Sequence, residues 1–379
     1  MPTNPPARPV RVAHVIQNLN YGGMERVLHS LAQRLPPRGF EVHVVVLQYL
    51  GRFAEGLEDT VRIHQVPPMS RLSLLRPGNL IEVLRRIAPD LVHSHTGVWL
   101  KAARAARAAG VSVVVHTEHG RPDPVPLSDR LIDNRASRLT DAVIAVSEPL
   151  AEVLRRQVVH DPERVRVITN GVDVEHLRAP ADRASLRAAL GISAEALVIG
   201  SIGRLEPVKN YALALRAFAR LTPSQAGRDL LLIIAGHGSD SHRLEALALE
   251  LGIAPRVKFL GWRDDADRLY GAFDLFTLTS TSEGTSISLL EAMSTGVCPI
   301  VTDVGGNRAV LGPELEGLLV PGNEEAALAA AWQRCLADSA FRKEMGQRAH
   351  QRVQAVFSLE QMVDKHVQLY RELLPSPVP

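Results

Sequence analysis

Short apolar runs alternate along the chain with segments whose apolar residues recur at helical spacing. The runs predict strands at Val10–Gln17, Glu41–Gln48, Val61–Val66, Leu91–His95, Val111–His116, 142–146 and Val165–Thr169. Between them Met24, Val27, Leu28, Leu31, Ala32 and Leu35 mark one helix, ended by Pro36-Pro37. Leu80, Ile81, Leu84, Ile87 and Ala88 mark another, stopped by Pro89. An Ala/Arg helix closes at Gly110, and a further helix is expected over 127–139. Residues 171–195 show no strand pattern and contain Pro180 and Gly191, which places the link between two domains there. The alternation then restarts, with strands at Leu197–Ile202, Leu230–Ala235, Val257–Leu260, Leu275–Leu278, Pro299–Thr302 and Gly317–Val320. From Glu324 the chain reads as helical, with breaks near Ser339 and Ser358. Strands alternating with helices predict a parallel sheet covered on both faces. The expected fold class is therefore α/β, with two Rossmann-like doubly wound parallel-sheet domains. Residues 1–178 form the first and residues 179–357 the second.

Composition narrows the function. A chain of 379 residues with 46% apolar content can build two cores. The formal net charge of +2 argues against a dedicated nucleic-acid binder. The charge is uneven: residues 1–178 carry 23 Lys/Arg and 18 Asp/Glu, and the remainder 20 and 23. A mildly basic first half suits an anionic acceptor or a membrane surface, or is scattered solvated arginine. Cys298 and Cys335 have no metal or redox spacing, which fits a reducing compartment. Residues 1–9 are polar and proline-rich, with no apolar signal core, and no run is long enough to span a membrane.

The chemistry collects at strand ends, where ligands of such sheets bind. Thr279 to Ser286 is a loop of small residues between an apolar run and a helix that carries Ile287, Leu289, Leu290, Ala292 and Met293. The start of that helix offers unpaired N–H groups and positive dipole to a phosphate, and Gly284 allows close approach. Glu283 and Glu291 would repel phosphate but accept hydroxyls, so the stretch suits a sugar nucleotide. Solvated glutamates and Ser/Thr caps are the alternative. Arg204 and Lys209 flank another strand-to-helix loop, as phosphate ligands or as a solvated basic turn. Gly22-Gly23 follows the first strand, as a tight turn or a substrate contact. His95 and His119 also lie at strand ends. His93 and His95 share a face as metal ligands or as structural histidines, with no third ligand evident. Asp265-x-Asp267 resembles a metal-diphosphate clamp, but acids in a first helical turn favour the dipole without any metal. No GxGxxG follows the first strand, which disfavours a nicotinamide oxidoreductase.

In order along the chain, Gly22-Gly23, Thr117-x-His119-Gly120, Asn170-Gly171-Val172-Asp173, Gly203-Arg204 with Lys209-Asn210, Glu283-Gly284 through Glu291-Ala292-Met293, and Gly305-Gly306-Asn307 resemble the motifs of family 4 retaining glycosyltransferases. The resemblance covers nearly the whole chain. It implies a GT-B fold, with the two domains facing across a cleft and the terminal segment 358–379, with a last helix around 359–373, crossing back to join the first domain. It implies transfer of a hexose from a nucleoside-diphosphate sugar, with retention, to a saccharide or lipid-linked saccharide. The setting would be cell-surface or extracellular polysaccharide or glycolipid biosynthesis, and bacterial exopolysaccharide-associated members are similar at the Gly22-Gly23 and Thr117–Gly120 segments. By the same resemblance Arg204 and Lys209 neutralise the leaving diphosphate, and Glu283 holds the donor sugar with the N–H groups after Gly284. Glu291 holds the ribose, and His119 contacts the sugar. Gly22 and Gly23 let the first domain approach phosphates and acceptor, and Trp262, Thr285 and Ser286 complete the donor site. Catalytic roles fall to Glu283, His119, Arg204 and Lys209. No metal and no cofactor are expected. The partners are the nucleotide sugar and the acceptor, not nucleic acid. The expected location is cytoplasmic, with possible peripheral contact on the inner membrane face. Thr285-Ser286 stands where many relatives carry an aromatic residue or a proline, so their donor preference does not transfer. A non-catalytic sugar-nucleotide-binding protein, or a nucleotide-sugar 2-epimerase on the same fold, are the other readings.

Overall fold

The apolar runs of the first half become seven strands: β1 Val10–Ile16, β2 Phe40–Val46, β3 Arg62–Gln65, β4 Leu91–His95, β5 Val113–Glu118, β6 Ala142–Ala145 and β7 Val165–Val167. They pair in the order β3-β2-β1-β4-β5-β6-β7, every pair parallel. Burial on both faces explains why the inner strands read as continuous runs rather than as alternation. Val12, Ala13, His14, Val15 and Ile16 of β1 are all fully buried. The structure is a computed structural model, and it describes residues 8–20, 22–54, 57, 61–68, 71–74, 76–178, 182–222, 224–225 and 228–374.

The second half forms β8 Leu197–Ile202, β9 Ser224–Gln225, β10 Arg228–Ala235, β11 Val257–Gly261, β12 Leu275–Leu278, β13 Cys298–Thr302 and β14 Leu319–Val320. The parallel order is β11-β10-β8-β12-β13-β14, with the short β9 antiparallel to β10. Each sheet reverses its order once, between β1 and β4 and between β8 and β12. The loops leaving those strands diverge and open a crevice at their carboxyl ends. The expected strand Gly317–Val320 is shorter, because Pro313–Leu318 turns as a 3-10 helix. Asp338 makes the break near Ser339 by accepting from the N–H groups of Ala340 and Phe341.

Two units result, Met1–Thr169 with Glu360–Pro379, and Asn170–Leu359. The division lies ahead of the 178/179 point expected from the sequence. Val172 explains the shift: its N–H donates to Phe357 O at 3.0 Å, and its carbonyl accepts from Leu359 N–H at 2.9 Å. The link region contains the helices Val174–Arg178 and Arg183–Ala189, while Pro180 lies outside the described residues. Arg187 anchors the second of these. Its buried guanidinium donates to the carbonyls of Ala194, Ala196 and Ala272 and to Asp274. The last helix, Leu359–Leu373, belongs to the first unit from Glu360 onward. Arg34 pairs with Glu360 at 2.8 Å and Arg38 with Asp364 at 3.2 Å, while Tyr370 reaches His93 of β4 at 2.6 Å.

Candidate active site

In the second unit the reversal between β8 and β12 sets the loop 203–210 against the loop 279–286. Glycines make the first loop possible. A Cβ on Gly236 would lie 1.9 Å from Gly203 O, and one on Gly238 2.3 Å from Leu205 O. The two loops are then stitched together. Thr281 N–H donates to Val208 O at 2.8 Å, and the Thr279 hydroxyl to Lys209 O at 3.0 Å. This brings Lys209 Nζ within 2.6 Å of Glu283 Oε1, which also accepts from Ser280 Oγ at 2.6 Å. The loop after β13 holds Glu283 from behind. Gly306 N–H donates to Glu283 O at 3.1 Å, and Gly305, at φ +52°, leaves no room for a Cβ, which would fall 1.9 Å from that same oxygen.

The helix Ile287–Ser294 starts beside this ion pair, with Gly284, Thr285 and Ser286 buried at its head. Asn170 donates to Thr285 O at 2.8 Å and fixes that turn. Glu291, only 4% exposed, accepts from Tyr270 Oη at 2.7 Å. Arg204 is exposed on the loop after β8 and makes no ion pair among the described residues. Trp262 is 42% exposed, with its Nε1–H on Asp264 at 3.1 Å. Asp265 is paired with Arg263 through both oxygens, and Asp267 faces His176 at 3.3 Å. The two aspartates therefore point to separate partners. Lys209, Glu283, Gly284, Thr285 and Ser286 are brought together by the Lys209–Glu283 ion pair and by chain adjacency, with Glu291 about one helical turn further on.

In the first unit His14 of β1 and His93 of β4 are register partners, and His95 lies two residues on, so all three share one sheet face. Their ring nitrogens fall within 4.8 Å of one another. His14 is the third histidine that the sequence did not reveal. Both nitrogens of His93 and both of His95 nonetheless already have partners. His93 contacts Tyr370 Oη and Thr117 Oγ1, each at 2.6 Å. His95 contacts His14 at 3.2 Å and His119 at 3.1 Å. A metal would have to break these contacts, so His93 and His95 read as structural histidines. Burial pushes His14 and His119 down to about 3, His366 to about 4, and His93 and His95 well below the ordinary histidine value, so the cluster is neutral.

The loop carrying His119 is held by a buried polar network. Its backbone N–H donates to Thr96 Oγ1 at 2.8 Å, and Thr96 donates to Glu118 at 2.7 Å. Glu118 pairs with Arg121, which pairs with Asp133 at 2.7 Å. Gly22 caps the helix that begins at Gly23, and the Glu25 carboxylate lies close against it: a Cβ on Gly22 would lie 2.3 Å from its Oε2. A phosphate there would meet a negative charge, whereas a hydroxyl would meet an acceptor.

The model for glycosyl transferases group 1 matches residues 182–352, and that for glycosyltransferase family 4 matches residues 21–176. A D-inositol 3-phosphate glycosyltransferase of Corynebacterium urealyticum is 30% identical over 326 residues, 79% of this chain and 76% of the relative. The chain belongs to the family 4 glycosyltransferases. A UDP-Gal:alpha-D-GlcNAc-diphosphoundecaprenol alpha-1,3-galactosyltransferase of Escherichia coli is 28% identical over 379 residues, 96% of this chain and 97% of the relative. Anabaena Alr3699/HepE, solved in complex with UDP and glucose, superposes with a TM-score of 0.85 at 24% identity, covering 96% of this chain and all of that one. The two-sheet architecture is thus that of GT-B glycosyltransferases. In this glycosyltransferase the positions that sequence reasoning missed are Ser280, Tyr270, Asn170, His14 and the Thr96–Glu118–Arg121 network. Asn170 and Ser280 sit inside motifs already singled out. Nothing in the sequence marks Tyr270, which a buried helix and a short turn bring to Glu291.

Proposed function

We propose that this glycosyltransferase moves a hexose from a UDP-sugar to a saccharide carried on a lipid diphosphate, with retention and without a metal. The observation that carries the reading is the Lys209–Glu283 ion pair at the β8/β12 switch point, beside the start of the helix Ile287–Ser294. As the sugar leaves, negative charge grows on the diphosphate. Lys209, Arg204 and the N–H groups at the helix start are preorganised cations and dipoles that stabilise it without a metal. The incoming diphosphate competes with Glu283 for Lys209, which frees Glu283 Oε1 to accept a sugar hydroxyl. Glu291, oriented by Tyr270, accepts the ribose hydroxyls, and Trp262 lines the donor. His119 contacts the donor sugar. Gly22-Gly23, under Glu25, meets hydroxyls rather than phosphates. Attack on the same face as the departing diphosphate gives retention.

Support for the donor and acceptor classes comes from the Escherichia coli relative, which by its name uses UDP-Gal and a diphosphoundecaprenol-linked sugar. A cavity of about 540 Å³ in the first unit fits such an acceptor: Gln17, Gln48 and Gln65 offer amides to hydroxyls, and Lys101 offers charge to a phosphate. No described helix is long and apolar enough to cross a membrane. On the helix Leu127–Ser137, Leu127 and Leu131 are 73% and 62% exposed with Arg130 between them, which suits peripheral contact with the inner membrane face during surface-glycan synthesis in the cytoplasm. The test is transfer of radiolabelled hexose from UDP-glucose or UDP-galactose to a short-chain polyprenyl-diphosphate GlcNAc. Lys209→Ala and Glu283→Ala should each lower the rate by about 10²-fold, while the exposed control Arg216→Ala leaves it unchanged. Full transfer by both variants, or a product anomer inverted relative to the donor, would overturn the reading.

A further inference from the structure

Three imidazoles run end to end through the first unit. His14 Nδ1 meets His95 Nε2 at 3.2 Å, and His95 Nδ1 meets His119 Nε2 at 3.1 Å. The two outer nitrogens, His14 Nε2 and His119 Nδ1, are covered and have no hydrogen-bond partner among the described residues. Each neutral ring carries one N–H and one lone pair. Both contacts can be made in only two ways. In one, every ring carries its proton on Nδ1 and donates towards His119, whose own Nδ1–H is left to a ligand. In the other, every ring carries its proton on Nε2 and donates towards His14, and His119 Nδ1 presents a lone pair. Any mixed order sets two donors or two lone pairs face to face.

A ligand breaks the symmetry. Once a sugar hydroxyl satisfies His119 Nδ1, the one unmade group is His14 Nε2. The first order leaves it a lone pair, and the second a buried N–H, the costlier orphan of the two. The ring is placed independently of its proton, because the His119 backbone is tied to Thr96 and through it to Glu118. We propose that His14 and His95 are positioning residues that fix His119 as an Nδ1–H donor to a hydroxyl oxygen of the transferred sugar. The inference rests on the reading of His119 as a donor-sugar contact.

Histidine-specific ¹⁵N labelling and long-range ¹H–¹⁵N spectra read the tautomers directly, because protonated and bare imidazole nitrogens resonate far apart. The probe is whichever of UDP-glucose and UDP-galactose gives the larger thermal shift. In the complex, His14, His95 and His119 should all carry the proton on Nδ1. His95→Phe should return His119 to a tautomer mixture, weaken the UDP-sugar by about tenfold and leave UDP unchanged. Should that variant not fold, His14→Phe removes the far end of the chain and is read in the same way. A proton on His119 Nε2 in the wild-type complex overturns the proposal. So do a tautomer and an affinity indifferent to the substitutions. His119→Ala tells the two failures apart: unchanged UDP-sugar affinity there removes the sugar contact and the proposal with it, whereas weakened affinity there beside indifferent His95→Phe and His14→Phe removes only the chain.

Discussion

The buried histidines should make the first unit acid-labile, and the size of the effect follows from their environment. Burial holds His14 and His119 at about 3 and His366 at about 4, against 6.5 for an unperturbed histidine. Between those values the unfolded chain binds more protons than the folded one, so stability is complete above pH 6.5 and is lost as the pH falls. Three such groups give a slope of about 4 kcal/mol per pH unit, and a loss of about 6 kcal/mol between pH 8 and pH 5. A domain commonly has only about 5–15 kcal/mol in total. His93, His95 and His116 are displaced in the same direction and add to the loss. No histidine of the second unit is fully buried among the described residues. Pulse proteolysis across a urea series, with peptide mapping, reads the stability of each unit at each pH. The first unit should weaken steeply towards pH 5 and the second should not. His366→Leu should flatten the slope by about 1.4 kcal/mol per pH unit. A first unit equally stable at pH 5 and pH 8 would refute the reasoning.

Gly305→Ala should lower both thermal stability and transfer rate, because its Cβ strikes Glu283 O and its φ is left-handed; an unchanged Tm with full activity would contradict the clamp on Glu283. Tyr270→Phe removes one charge-assisted hydrogen bond to the buried Glu291, so it should cost about 1–3 kcal/mol of stability and weaken UDP binding in a thermal-shift titration. Transfer should persist in excess EDTA, and Asp265→Asn and Asp267→Asn should act like wild type; activity restored only by Mg²⁺ or Mn²⁺ would assign those aspartates to a metal after all. Leu127→Ser with Leu131→Ser should reduce sedimentation with anionic vesicles while leaving transfer to a soluble acceptor intact.

The fold was legible where burial is symmetric. A parallel strand covered on both faces becomes an apolar run, and runs such as Leu275–Leu278 and Leu197–Ile202 mark their strands to the residue. The link between the units was not legible, because its order depends on a polar anchor. Arg187 looks like any helical arginine in a sequence, yet its guanidinium is enclosed by the carbonyls of Ala194, Ala196 and Ala272. Local pattern reports which residues prefer burial, and says nothing of a charged side chain buried because tertiary structure supplies every partner.

The site divides along the same line. Loops that carry their own signature, such as Ser282–Ser286 or Gly305-Gly306, stand out because small residues and glycines are needed where backbone approaches backbone. Pairings set by strand order do not stand out. Lys209 and Glu283 meet across 74 residues because β8 and β12 are neighbours in the sheet and not in the chain. His14 and His95 meet across 81 for the same reason, through β1 and β4. A lone histidine in Val10–Ile16 resembles an interruption of an apolar strand, and only the parallel register of β1 on β4 turns it into the far end of a chain that reaches His119. Topology thus decides which polar residues meet, and the two order reversals are where it gathers the residues to which the proposed transfer chemistry is assigned.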